Sequence, residues 1–197
     1  MSEKKRIIVG ISGASGVIYG IRALQLLREI PDIETHAVIS PSAFLTAQSE
    51  VDMSADEIKK LPDVLHGFRD IGASISSGSF KTDGMLVAPC SIKTLSAIAN
   101  CYAGQLLVRA ADVCLKERRR LVLMLRETPL HHGHISLMQQ ATLNGAIIMP
   151  PVPAFYARPQ SLDEMVTHTV GRALDLFGID AGVVRRWKET VEPDDET

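Results

Sequence analysis

Residues 121 to 125 read LVLML, a run with no polar face. A half-exposed strand alternates apolar and polar side chains, so a continuous apolar run needs cover on both sides. Parallel sheets flanked by helices supply that cover. Related runs recur at 6–11 (RIIVGI), 36–40 (HAVIS), 84–90 (GMLVAPC) and 146–149 (AIIM). Between them come stretches with helical spacing; over 16–29, for instance, Val17, Ile21, Leu24 and Leu27 share one face. Further helices are expected near 42–49, 92–101, 105–117 and 134–143. Residues 51–82 read as polar and irregular, apart from a capping box at Ser54 and Glu57. A second box at Ser161 and Glu164 opens a helix expected to run to about Phe177 and stop at Gly178. The proline-rich stretch PPVPAFYARP reads as an ordered surface loop. This alternation predicts a three-layer α/β/α fold with a doubly wound parallel sheet, flavodoxin-like or Rossmann-like.

A chain of 197 residues suits one such domain, expected over 1–190, with a mobile acidic tail at 191–197. Lys and Arg number 21 against 23 Asp and Glu, a net charge of -2, which argues against nucleic-acid partners. No apolar run approaches the roughly 20 residues that span a bilayer, so no membrane association is expected. MSEKKR leads into the first strand without a signal-like apolar region, and the expected compartment is the cytoplasm. Cys90, Cys101 and Cys114 form no CxxC pair and are expected to be small buried hydrophobes. The HHGH run at 131–134 has no acidic or cysteine companion, so no metal is expected there.

The first strand breaks into Gly10-x-x-Gly13-x-x-Gly16. Dinucleotide binding calls for G-x-G-x-x-G and an acid at the end of the second strand. Here that strand ends in Ile39-Ser40, which argues against NAD. No Gly-Lys-Ser/Thr follows, which excludes a Walker loop. Free N–H groups at a helix start still attract an anion, and Ser12 and Ser15 add hydroxyls. The glycines alone are equally compatible with a tight turn and nothing more. A second loop narrows the choice. APCSIKT (88–94) follows another strand, with Ser91 placed to cap the next helix and Lys93 and Thr94 beside it. Two hydroxyl-bearing loops at the carboxyl edge of one sheet suit a phosphorylated mononucleotide such as FMN.

Charged positions add a further set. Arg109, Asp112 and Lys116 share a helical face, compatible with solvated ion pairs. Arg126 and Glu127 follow LVLML directly, at the ligand edge. Arg172 lies on a stripe with Met165, Thr169 and Leu176, either paired at an interface or facing an anion.

Taken in order along the chain, these segments resemble the UbiX-type flavin prenyltransferases. The matching pieces are GISGASG (10–16), Ser40, Glu50, PCSIKTLSAIA (89–99), RAADVCLKERR (109–119), RETP (126–129), PPVPAFYARPQ (150–160), Arg172 and Arg186-Trp187. The resemblance implies trimers within a dodecamer, with active sites between subunits. It implies reduced FMN and dimethylallyl phosphate as substrates, with the prenylated FMN passing to a UbiD-type decarboxylase. On this resemblance Gly13, Ala14, Ser15, Ser40, Ser91, Ile92, Lys93, Thr94 and Arg126 bind FMN. Arg109, Lys116, Glu127, Tyr156 and Arg172 surround the prenyl phosphate, and Trp187 flanks the allyl group. Ser15, Glu50, Glu127 and Lys116 are the catalytic candidates, and a caged monophosphate needs no metal. Three segments depart from the common family pattern: HHGHISLM (131–138), Gln105-Leu-Leu and Met124-Leu125. Two alternatives remain: a flavin-dependent cysteine decarboxylase of the same fold, and a non-catalytic flavin-binding subunit of a decarboxylase. Against the first, the chain has Pro-Cys-Ser-Ile-Lys-Thr for Pro-Ala-Ser-Ala-Asn-Thr and no histidine near Glu50. A mere carrier would have no use for the second set of cations.

Overall fold

The computed structural model describes residues 4–188. The acidic tail expected at 191–197 lies outside the described residues. Among the described residues, six strands form one parallel sheet: β1 (Lys5–Ile11), β2 (Ile33–Ile39), β3 (Val64–His66), β4 (Gly84–Cys90), β5 (Arg120–Leu125) and β6 (Ile147–Ile148). Their spatial order is β3-β2-β1-β4-β5-β6. The winding therefore reverses between β1 and β4, the switch point where such sheets open a crevice at their carboxyl ends.

Among the described residues, seven α-helices cover the sheet: α1 (Val17–Arg28), α2 (Pro41–Glu50), α3 (Ala55–Lys59), α4 (Ile92–Ala99), α5 (Leu106–Lys116), α6 (His132–Leu143) and α7 (Leu162–Asp175). The strands divide their side chains as a doubly covered sheet requires. Ile7, Val9, Ile11, Val122 and Met124 pack with α1, α2 and α7 on one face. Ile8, Leu121, Leu123 and Leu125 pack with α4, α5 and α6 on the other. LVLML is thus buried on both sides, as its composition demands. Met124 fills the first core, so the Met124-Leu125 departure from the family pattern is a packing choice.

Three expectations need correction. Residues 51–82 are not wholly irregular, because Val64–His66 pairs in parallel with β2, from His36↔Val64 to Val38↔His66. The Ser54–Glu57 box is complete, with bonds in both directions. At α7 the box is shifted: Glu164 N–H donates to Ser161 Oγ at 3.1 Å, but the Glu164 carboxylate accepts from Gln160 N–H at 2.8 Å. That helix ends at Asp175, and Gly178 follows with φ +66°. Third, Cys90 and Cys114 are buried, with thiols pushed up to about 12 by burial, but Cys101 is exposed.

Candidate active site

The crevice expected at the switch point is present between the loops that follow β1, β2 and β4. It has about 570 Å³ of open space and is lined by Ser12, Gly13, Ser40, Ser42, Phe68, Ser91, Lys93, Thr94, Ala97, Tyr102, Gly104, Gln105, Leu107 and Val108. Hydroxyls outnumber charges along it, and Lys93 is the one charged side chain in this wall among the described residues.

Each wall is built by local chemistry. Ser40 caps α2, its Oγ accepting from Ala43 N–H at 3.1 Å, and it lies 3.0 Å from Ser42 Oγ. Ser91 caps α4 by accepting from Thr94 N–H at 3.3 Å. Among the described residues, the N–H groups of Ile92 and Lys93 have no acceptor, which leaves an anion seat at the start of this eight-residue helix. Gly13 keeps the crevice open toward α2. A Cβ there would stand 2.3 Å from Ser42 Oγ and 3.1 Å from the Ser42 backbone.

The glycine loop itself departs from the phosphate-loop expectation. Glu50 Oε2 accepts from Gly16 N–H at 2.8 Å and from Val17 N–H at 3.1 Å. The α1 N-terminus already holds a carboxylate, so the anion seat moves to α4. The face of α2 that meets this loop carries Ser42, Thr46 and Glu50 at successive four-residue steps. Ser42 packs against Gly13, Thr46 Oγ1 donates to Gly13 O at 3.1 Å, and Glu50 holds Gly16. Ser15 stands exposed between these anchors, with no hydrogen-bond partner among the described residues. Ser12 is no longer a free donor, because it is buried between the two loops.

The proposed phosphate ligands do not meet within one chain. Arg109 bonds Ser76 O at 3.1 Å and Asp112 at 2.6 Å, one residue from the crevice-lining Val108. Lys116 lies about 10 Å further along α5 by helix rise, ion-paired with Glu117 over Gly78. Tyr156, Arg172 and Trp187 belong to the opposite face of the sheet. Tyr156, in a short 3-10 turn (Phe155–Ala157), sits 5.3 Å edge-on from Trp187 and 6.0 Å from His168 of α7. Arg172 pairs with Asp175, which also takes both Arg186 amines at 2.9 and 3.1 Å. Burial raises the Asp175 carboxyl, but the bonds from Arg186 and Arg172 win and hold it below the usual range. The Arg172 pairing was open from sequence; within the chain it is an ion pair.

Arg126, Glu127 and Ala14 lie at the same sheet edge without lining the crevice; Arg126 N–H donates to Cys90 O at 3.0 Å, and Glu127 Oε1 accepts from Thr128 N–H. In the HHGH segment, His131 caps α6 and its ring centroid stands 3.6 Å from that of His134. Among the described residues, no three His, Cys, Asp or Glu groups are gathered as a metal site needs. No described helix is long and apolar enough to cross a membrane.

Comparison with known proteins places this geometry in context. A family model described as Flavoprotein matches residues 1–172. Flavin prenyltransferase UbiX of Escherichia coli (strain K12) is 63% identical over 175 residues, covering 89% of this chain and 93% of its own. Among solved structures, AnUbiX (PadA1) in complex with FMN and dimethylallyl pyrophosphate superposes with a TM-score of 0.92 at 46% identity, over 94% of this chain and 98% of that one. A dodecameric FMN-dependent UbiX-like decarboxylase from Escherichia coli O157:H7 gives 0.91 at 48%, over 93% and 99%.

Proposed function

The chain belongs to the flavoprotein family as a UbiX-type flavin prenyltransferase, and on that premise we propose how its residues divide the reaction. The donor is dimethylallyl phosphate, and the site closes between copies of the chain in a dodecamer built of trimers. The observation that carries this reading is the separation of Arg109 and Lys116 from Tyr156 and Arg172 by the sheet. Cations on opposite faces of one chain grip a single phosphate only where two copies meet.

Within the crevice, the free N–H groups of Ile92 and Lys93, with Ser40, Ser91 and Thr94, suit the FMN phosphate. Gly13 and Ala14 bring the loop backbone beside the flavin, and Arg126 reaches it from the end of β5. When bound, reduced FMN supplies the two nucleophilic atoms, N5 and C6, that take the five-carbon group. The chain's own task is twofold. Arg109, Lys116 and Arg172, with the Tyr156 hydroxyl, stabilise the charge that grows on the phosphate as its bond to the allylic carbon breaks. Trp187 offers a π face to the allylic cation.

Bond formation at two ring atoms releases protons that a base must carry. We assign that work to Glu50, which holds the glycine loop at Gly16 and Val17, and to Ser15 of the same loop, with Glu127 after β5 as a further candidate. Oε2 of Glu50 is held by two N–H groups, while Oε1 has no hydrogen-bond partner among the described residues. The caged monophosphate needs no metal. The prenylated flavin then passes to a UbiD-type decarboxylase, and the cytoplasm is the compartment proposed for both.

The deciding experiment is anaerobic incubation with FMN, a reductant and dimethylallyl phosphate, followed by mass measurement of the flavin. A flavin heavier by one five-carbon prenyl unit is expected. An unchanged flavin, with FMN bound, overturns the transfer reaction and returns the flavin-carrier alternative.

A further inference from the structure

Ser12 is buried, 2% exposed, at the point where the glycine loop meets the loop after β4. Its hydroxyl donates to Pro89 O at 2.8 Å and accepts from Ser91 N–H at 2.8 Å, and its own N–H donates to Pro89 O at 3.2 Å. Three bonds therefore join two loops whose parent strands are neighbours only at the switch point. Nothing else among the described hydrogen bonds ties residues 12–16 to residues 88–94. Ser91 is the N-cap of α4, so the Ser12 hydroxyl fixes the residue on which the α4 anion seat depends.

We infer that Ser12 is a positioning residue for the flavin: it sets the separation of the two loops that grip it. The inference rests on the FMN reading of the crevice. A hydroxyl is required because the joint needs one donor and one acceptor at the same atom. An apolar side chain leaves the half-buried Ser91 N–H without its partner, and the loops lose the one side-chain tie found among the described residues. Although Ser12 lines the crevice, its hydroxyl proton is committed to Pro89 O and its oxygen already accepts from Ser91 N–H, which separates this role from direct chemistry.

The test measures FMN binding by fluorescence quenching, without prenyl donor, and then KM for FMN and for dimethylallyl phosphate separately. Ser12→Ala is expected to weaken FMN binding and raise its KM roughly tenfold, with the donor's KM unchanged. Ser12→Thr, which keeps the hydroxyl, is expected to stay near wild type. Ile33→Val, a core truncation at the far end of β2, serves as a control that lowers stability without touching the loops. Ser12→Ala with wild-type FMN affinity overturns the inference. So does an equal loss of FMN affinity in Ile33→Val, or a threonine variant as weak as the alanine one. Absence of FMN binding by the wild-type chain instead overturns the FMN reading itself.

Discussion

The flavin crevice and the phosphate-gripping residues are built in opposite ways. The crevice is lined within one chain by the loops that follow three adjacent strands, β1, β2 and β4, together with Phe68, Tyr102 and the first turn of α5. Backbone N–H groups, capping hydroxyls and a glycine do most of the holding. The proposed phosphate grip draws on long charged side chains, divided between α5 on one sheet face and the α7 region on the other. A site of the first kind is fixed by chain adjacency. One of the second kind, as proposed for the phosphate, needs a partner copy, and a substrate bound there would report on assembly as well as on folding.

The largest effect expected from this difference is in the grip. Arg109→Ala and Arg172→Ala each remove a cation from a developing charge and are expected to lower kcat/KM about 10²–10³-fold. FMN affinity stays close to wild type in both. Mixing the two inactive variants during assembly is the sharper measurement. If the grip lies between copies, some interfaces then combine two intact faces and activity returns. No recovery in verified mixed oligomers breaks the comparison, because it puts the whole site back inside one chain.

Glu50→Gln comes next, at about 10² in turnover for a lost proton carrier. The amide oxygen still caps Gly16 and Val17, so the loop keeps its shape and FMN binding is expected to hold. Turnover at the wild-type rate removes Glu50 from the chemistry. Gly13→Ala is smaller and falls on the crevice alone. Its Cβ meets both the side chain and the backbone of Ser42, so α2 must shift, costing about 1–3 kcal/mol. FMN affinity is expected to fall about tenfold while the donor's KM is unaffected, measured by the same fluorescence titration.

Those two residues also show what was legible in the sequence. Gly13 was readable because a glycine at a strand-to-helix turn has a local reason, and Ser40 and Ser91 because caps follow local rules. LVLML announced a doubly covered sheet without any long-range information. The bond from Glu50 to Gly16 spans 34 positions and left no local trace. Phe68 and Tyr102 line the crevice from segments with no motif, and the three residues of β3 carry too little periodicity to read. Arg172 was half legible: Asp175, three residues on, is a helical neighbour, but Arg186 joins the pair only through the fold. The charged positions were compatible with either ion pairs or an anion site, and within the chain Arg109 and Arg172 are both ion-paired, on opposite faces of the sheet.

The smallest expected effect probes the edge that carries Phe68 into the crevice. His36 Nδ1 lies 2.9 Å from His66 Nε2, and His36 Nε2 lies 2.8 Å from Glu34, which Arg6 also holds at 3.1 Å. Burial pushes the His66 imidazole below its ordinary range, and the neighbouring His36 adds to this against an opposing pull from Asp70. A group depressed in this way stabilises the fold above the unfolded-state value, near pH 6.5, and loses that contribution as pH falls through the depressed one. The bond between the rings also needs one of the facing nitrogens unprotonated. Lowering the pH from 7 to 5 is therefore expected to lower Tm, with β3 loosening first and FMN affinity falling before the donor's KM changes. The Glu34 carboxylate, held down by its bond from His36 and then by Arg6, contributes only at more acid pH and does not enter this window. His66→Gln is expected to flatten the slope between pH 7 and 5. If the variant keeps the full wild-type slope, the pair plays no part in it, and the crevice is as indifferent to its outer strand as the phosphate grip is.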